Sequence, residues 1–277
     1  MANFNASHLD PFQREFVKLL QANAYRHRPH EVFCDFCEVA AITLSNAVDR
    51  IHYEKREARY LQIIKRYNAE EINRFPAMLA AVVNSLEGGF SDSLGQLFMS
   101  LELGNDLSGQ YFTPFSVSCL MAQMVLGDVW PVVEREGFFT LNEPAVGAGA
   151  MVIASAKAIH DQGINYQQHM HVIGVDIDAV AVHMAYIHFS LLHIPAIVVH
   201  GNSLTLEEWD HWATPAHILG FWDRRLKNRN TRGAADPMPS IADVQPASAD
   251  VQPASAEHLT TIVEARVERA EQMELFA

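Results

Sequence analysis

Two glycines between a predicted strand and a predicted helix are the first residues of this sequence that could take part in chemistry. Gly147 and Gly149 lie in LNEPAVGAGAMVIASAKAI, residues 141–159. Because glycine has no side chain, a ligand can approach the backbone closely, and the following helix offers N–H groups at its N-terminus. Many turns use G-x-G only structurally, so the loop alone leaves a ligand site and a structural turn equally open.

Polar side chains follow at the ends of the next two predicted strands. Asp176 ends HVIGVD, where a carboxylate would accept hydrogen bonds from a ribose diol, whereas Asp178 could cap the next helix. Asn202 lies in GNSL and offers both a donor and an acceptor to an adenine edge. Since the carboxyl ends of parallel strands share one edge of a sheet, these positions predict a nucleoside-containing ligand there.

The loop sequence also bears on which nucleoside-containing ligand this is. It reads G-A-G-A-M and lacks the third glycine of G-x-G-x-x-G, which disfavours NAD. S-adenosylmethionine (SAM), which has no phosphates, is the favoured cofactor.

The elements around these residues indicate an α/β fold with a helical N-terminal segment. Residues 1–105 form the helical domain, with helices predicted at 11–24, 31–46, 54–67, 76–86 and 92–101. Strands predicted at 138–141, 171–175 and 196–200 alternate with helices, which is typical of a parallel sheet with right-handed crossovers. We therefore expect a Rossmann-like core over residues 106–226, with little sequence left to complete its sheet.

Composition excludes some classes of function. The net charge of −13 argues against a protein that coats nucleic acid non-specifically. Basic clusters at 50–66 and 224–232 are open to two interpretations, phosphate contact or solvated surface. The absence of a long apolar run or a signal peptide predicts a cytoplasmic protein without a membrane segment. Cys34 and Cys37 are interpreted as core residues, and no metal site is expected.

Residues 92–205 resemble the N6-adenine DNA methyltransferases of the type I modification-subunit kind. The stretch GQYFTP is similar to the motif that holds the methionine end of SAM in that family. The resemblance implies this role for Thr113 and Pro114, with Tyr111 and Phe112 close by.

Three further motifs follow in the order of the same family. NEPAVGAG is similar to D-P-x-x-G-x-G, with Glu143 in the acidic place and Pro144 after it. GVDID implies Asp176 at the ribose diol and Ile177 against the adenine. GNSL implies Asn202 at the adenine edge. The resemblance therefore implies that SAM binds to this chain and that DNA is a partner.

The family's catalytic motif has no counterpart in the sequence. An Asn/Asp-Pro-Pro-aromatic loop holds the flipped adenine in this family, because the exocyclic amine needs hydrogen-bond acceptors and the base needs a stacking surface. Neither N-P-P nor D-P-P occurs, and the nearest stretch, 236–239, reads D-P-M-P. No catalytic residue can therefore be assigned.

Two hypotheses about function follow. The first is a SAM-binding relative that methylates adenine N6 in DNA only if the catalytic loop is replaced or supplied by a partner, such as a subunit of a modification complex. The alternative is an inactive, methyltransferase-like factor that binds DNA or protein in an anti-restriction or regulatory role.

The C-terminal region predicts a tethered peptide. Residues 227–257 contain ADVQPAS twice in tandem and four prolines, which indicates a disordered linker. Residues 258–277 predict an amphipathic helix that ends in QMELF. Gln272, Leu275 and Phe276 resemble the peptide with which bacterial replication and repair proteins bind the sliding clamp. The alternative is a helix that packs on the body of the protein.

Overall fold

The computed structural model of the protein describes residues 9–101 and 112–233, with side chains as far as residue 229. Five helices fill the first range: α1 (Pro11–Asn23), α2 (Pro29–Asn46), α3 (Tyr53–Ile64), α4 (Ala69–Glu87) and α5 (Ser93–Ser100). All five predicted helices are confirmed. The prediction was wrong about the start of the fourth, because Asn68 caps α4 and Pro76 lies inside this helix rather than in its first turn.

The second range holds the sheet and its helices. Its elements are α6 (Phe115–Leu126), α7 (Trp130–Glu136), β1 (Phe139–Glu143), α8 (Ala150–Asp161), α9 (Tyr166–His169), β2 (Met170–Asp176), α10 (Ala179–Leu191), β3 (Ala196–Asn202), β4 (Glu207–Ala213), α11 (Pro215–Leu219) and α12 (Trp222–Gly233). The three predicted strands are confirmed as β1, β2 and β3. The sequence analysis did not predict β4.

The four described strands form one mixed sheet in the order β1-β2-β3-β4. Strands β1, β2 and β3 are parallel, so that Val172 lies opposite both Leu141 and Ala196. Strand β4 returns antiparallel to β3, with Trp212 opposite Val198. These strands and their helices confirm the predicted α/β class.

Strand β1 lies at the edge of the described sheet. In a complete doubly wound sheet the first strand lies near the centre, with strands on both sides. Here the described strands extend from β1 in one direction only, through β2 and β3 to β4. The Rossmann-like core is therefore incomplete, as the sequence indicated.

The helical segment and the sheet share a hydrophobic core. One continuous cluster of buried apolar side chains runs from α1 through α2 and α4 to α8, α10 and the sheet. The described residues up to Thr231 accordingly form one compact unit. The predicted domain boundary near residue 105 lies outside the described residues and stays a prediction.

Helix α12 extends into the region that was predicted as a linker. It includes residues 227–233, because its basic side chains contact the body of the protein. The guanidinium of Arg225 lies 5.1 Å from the ring centre of Phe138, and Arg229 pairs with Glu136 of α7 at 2.5 Å. The rest of the predicted linker and the predicted docking peptide lie outside the described residues.

No single described helix is both long and apolar enough to cross a membrane. Taken together, α6 and α7 pass by length and composition alone, with a bend of 62° between them.

Candidate functional site

The glycine loop between β1 and α8 has the backbone conformation that its sequence predicts. Gly147 and Gly149 have φ angles of +54° and +96°, in the left-handed region that favours glycine. Packing also excludes side chains here, since an added Cβ would lie 3.0 Å from the ring of Phe112 at Gly147 and 2.6 Å from the ring of Phe189 at Gly149. The second glycine therefore has a structural reason to be present, independent of any ligand.

Asp176, at the end of β2, holds this loop directly. Its Oδ2 accepts a hydrogen bond from the N–H of Gly147 at 2.8 Å, and its Oδ1 accepts one from the N–H of Asp178 at 2.9 Å. Burial raises the pKa of Asp176 more than these hydrogen bonds lower it. The side chain of Asp178 caps α10 through the N–H of Val180, which confirms the capping interpretation of that residue.

Glu143 is a second carboxylate at the same edge. It ends β1, is partly buried, and accepts a hydrogen bond from the N–H of Ala145 at 3.2 Å. Burial and the negative charge of Asp176 raise the pKa of Glu143. Partly buried carboxylates with raised pKa values mark candidate binding sites, because hydrogen-bond donors of a ligand would stabilise their charged forms. Pro144 follows in the exposed turn.

Two further predicted residues lie at the ends of β2 and β3. Ile177 is 62% exposed, an apolar surface of the kind on which an adenine ring packs. The Oδ1 of Asn202 accepts hydrogen bonds from the N–H groups of Leu204 at 3.0 Å and Thr205 at 3.3 Å. Because this oxygen stabilises the turn between β3 and β4, the predicted adenine contact of Asn202 depends on its NH₂ group.

The GQYFTP motif approaches the loop through its aromatic residue. The ring of Phe112 lies against Gly147, and its centre lies 5.3 Å from that of Phe98 on α5. Thr113 and Pro114 are exposed immediately before α6, whereas Tyr111 lies outside the described residues. The structure thus brings Phe112, Gly147 and Asp176 together and shows no contact of Thr113 with this group.

Three buried side chains that pack against the glycine loop or against Phe112 were not predicted from the sequence. Phe98, His188 and Phe189 lie on helices α5 and α10, and all three are buried. Helical periodicity identifies such positions as core, but it does not indicate which other segment they contact. Their positions relative to the loop come from the tertiary structure alone.

Most of the cations in the two basic clusters pair with neighbouring groups. In the first cluster, Arg59 pairs with Glu38 at 2.6 Å and Arg66 with Asp35 at 2.5 Å. In the second, Arg225 lies over aromatic rings and Arg229 pairs with Glu136. These contacts favour a structural role for both clusters over phosphate binding. Cys37 lies in the core, and within the described ranges no group of three His, Cys, Asp or Glu side chains could hold a metal ion.

Comparison with known proteins identifies the core. The model of the N-6 DNA methylase family matches residues 98–220, which include the glycine loop, Asp176 and Asn202. A solved structure from Listeria monocytogenes, described as a class I S-adenosylmethionine-dependent methyltransferase, is similar with 13% identity and a TM-score of 0.35. That similarity covers 70% of this chain and 54% of the Listeria chain, so the protein spans about half of its length. No curated protein matches. Residues 98–220 of the chain are therefore similar to the N-6 DNA methylase family.

Proposed function

We propose that this chain is the SAM-binding part of an N6-adenine DNA methyltransferase, and that methyl transfer requires a base-holding loop from outside these 277 residues. The observation that carries the proposal is the hydrogen bond from the N–H of Gly147 to Asp176, which joins the glycine loop to the end of β2. We call this side of the sheet, at the carboxyl ends of β1 and β2, the cofactor edge. Ligands of open α/β sheets bind at this edge.

The residues at this edge suit SAM. Asp176 would accept hydrogen bonds from the ribose hydroxyls, and the exposed side chain of Ile177 would pack on the adenine. Glu143 and the backbone of the glycine loop would hold the methionine end together with Thr113 and Pro114. The NH₂ group of Asn202 would donate to the adenine edge. When bound, SAM supplies an electrophilic methyl group.

Two observations support the need for an additional loop. The sequence has no Asn/Asp-Pro-Pro segment to accept hydrogen bonds from an adenine amine. The described sheet also ends at β1, where a complete doubly wound sheet continues. The chain is thus expected to bind the cofactor and to transfer no methyl group to DNA by itself.

The missing catalytic motif also favours a second candidate, an inactive methyltransferase-like factor that binds DNA or protein. The two candidates differ in whether SAM binding leads to methyl transfer when modification-complex subunits are added. The sliding-clamp contact through Gln272, Leu275 and Phe276, which lie outside the described residues, and the cytoplasmic location stay predictions.

The first test is calorimetric titration of the purified protein with SAM. The wild type should bind one equivalent, and Asp176→Ala should weaken binding at least about tenfold, or ~1.4 kcal/mol. Asp161→Ala, which removes an exposed carboxylate at the far end of α8, is the matched control and should bind like the wild type. No binding by the wild type, or equal binding by Asp176→Ala, would contradict the cofactor site.

The second test is transfer of a radiolabelled methyl group from SAM to unmethylated DNA. The chain alone should label no DNA, because it lacks the base-holding loop. Labelled N6-methyladenine with the chain alone would show that the loop is not required from elsewhere.

A further inference from the structure

His188 connects the glycine loop to the start of α5. The imidazole lies on α10 and is 0% exposed. Its Nδ1 lies 2.8 Å from the carbonyl oxygen of Ala148, and its Nε2 lies 3.1 Å from the backbone nitrogen of Leu94. A carbonyl only accepts and a backbone N–H only donates, so these two bonds require a neutral ring with its proton on Nδ1.

The environment of His188 supports this neutral form. Asp92 is the charged group that faces it, with 3.8 Å between the carboxylate Oδ1 and the imidazole Nδ1. That carboxylate would stabilise an imidazolium, but burial outweighs it and lowers the pKa of His188. Asp92 instead caps α5 by accepting a hydrogen bond from the N–H of Gly95 at 2.9 Å.

The hydrogen bond from His188 to the carbonyl of Ala148 restrains the backbone of the glycine loop. Ala148 lies between the two glycines, whose lack of side chains leaves this backbone free to adopt many conformations. The carbonyl of Ala148 belongs to the peptide plane that joins Ala148 to Gly149, so the bond to His188 holds that plane. Asp176 holds the loop separately, through the N–H of Gly147, and Phe189 packs against Gly149. The bond from His188 therefore holds the part of the loop that lies between these two contacts.

We propose that His188 is a positioning residue for the cofactor: it holds the glycine loop in its ligand-binding conformation through the hydrogen bond to the carbonyl of Ala148. This inference rests on the proposed function, in which the loop binds SAM. His188 does not touch the cofactor edge itself, and it acts through the backbone of the loop.

Two substitutions at this position separate the two hydrogen bonds. His188→Asn places an amide NH₂ near the position of Nδ1, so it keeps the donor to Ala148 and loses the acceptor for Leu94. His188→Gln places an amide oxygen near the position of Nε2, so it keeps the acceptor for Leu94 and loses the donor to Ala148. His171→Asn is the control, because it removes another fully buried histidine at the opposite end of β2.

The measurements are the dissociation constant for SAM, by calorimetry, and the hydrogen exchange of peptides that cover residues 143–152 without SAM. His188→Gln should exchange faster in this segment and bind SAM at least about tenfold more weakly, whereas His188→Asn should stay close to the wild type in both. The control should keep the wild-type exchange of the loop and the wild-type dissociation constant, even where it lowers the melting temperature.

The inference is overturned if His188→Gln keeps the wild-type exchange and affinity, or if His171→Asn weakens SAM binding equally. Because the exchange is measured without SAM, it also separates this inference from the proposed function. If the wild type does not bind SAM, the proposed function fails, and so does the cofactor role of His188. Faster hydrogen exchange of the loop in His188→Gln would then show only that His188 restrains the backbone of the glycine loop.

Discussion

Burial lowers the pKa of four buried histidines among the described residues, and His171 shows the consequence most clearly. Its Nε2 lies 2.8 Å from Nδ1 of His217, whose Nε2 lies 3.2 Å from Asp223. Burial, and then the neighbouring His217, lower the pKa of His171 to about 3, although Asp223 acts in the opposite direction and Arg225 in the same direction. The unfolded chain binds a proton near pH 6.5, so acid stabilises the unfolded state relative to the folded one.

We predict that His171 makes the folded state less stable as the pH falls below about 6.5. Its contribution is fully present above that pH, and about 2 kcal/mol is lost by pH 5, where the folded form is still neutral. Urea unfolding of His171→Asn should therefore lose about 2 kcal/mol less than the wild type between pH 7.5 and pH 5. The exposed His193, replaced by Asn, serves as the control and should follow the wild-type curve. Parallel curves for wild type and His171→Asn would refute the prediction.

The residues of the candidate site differ in how far the sequence could predict them. Gly147 and Asp176 were predictable, because a glycine turn and a strand-end carboxylate each have a local signature and parallel strands bring their ends together. The hydrogen bond between His188 and the carbonyl of Ala148 was not predictable, because it joins residues that are 40 positions apart. No local pattern in α10 distinguishes a histidine that holds a loop from one that fills the core.

At the scale of elements, α12 shows how tertiary contacts extend a helix that the composition assigned to a linker. Arg225, just before the predicted linker, connects this helix to the body of the protein. Its guanidinium lies 3.6 Å from the ring centre of Trp222 and 5.1 Å from that of Phe138, and it donates a hydrogen bond to the carbonyl of Gln168 at 2.7 Å. The composition of a basic, polar stretch does not indicate that its side chains contact Phe138 and Gln168, which lie far away in the sequence.

We predict that Arg225→Ala destabilises the protein by about 1–2 kcal/mol, through the lost cation–π contact and hydrogen bond. The neighbouring Arg224 is exposed, so Arg224→Ala is the matched control and should change the unfolding free energy by less than about 0.5 kcal/mol. Guanidinium unfolding of both variants measures the difference. Equal effects at the two positions would mean that charge, and not the contact with the rings, stabilises α12.

At the scale of the whole molecule, the sequence indicated the class of the core and its missing half, but not how the helical segment joins the sheet. Strand β4 takes part in that contact beside the shared hydrophobic core, and it escaped prediction because EEWDHWA has little apolar content apart from its tryptophans. Arg56 of α3 donates to Asp49 at 2.8 Å and to the carbonyl of His211 at 2.9 Å, and it lies 3.9 Å from the ring centre of Trp212. The buried guanidinium of Arg56 therefore links α3 to β4. No local sequence pattern indicates these partners of Arg56.

We predict that Arg56→Ala destabilises the protein by at least about 2 kcal/mol, because it removes the buried guanidinium that pairs with Asp49 and leaves that carboxylate with His52 as its remaining side-chain partner. Arg59→Ala is the control, since its pair with Glu38 is half exposed and should contribute less than about 1 kcal/mol. Thermal unfolding is followed by circular dichroism at the helix band and by tryptophan fluorescence. The first signal includes α1–α5, and the second comes only from positions 130, 209, 212 and 222.

Because one hydrophobic core spans both parts, the two signals of the wild type should change together in a single transition. In Arg56→Ala the common midpoint should fall, or the fluorescence change should precede the helix change as β4 separates from α3. Two separate transitions already in the wild type would mean that the helical segment folds independently. In that case the loss in Arg56→Ala would appear mainly in the helix signal, because Arg56 and Asp49 both belong to the helical segment.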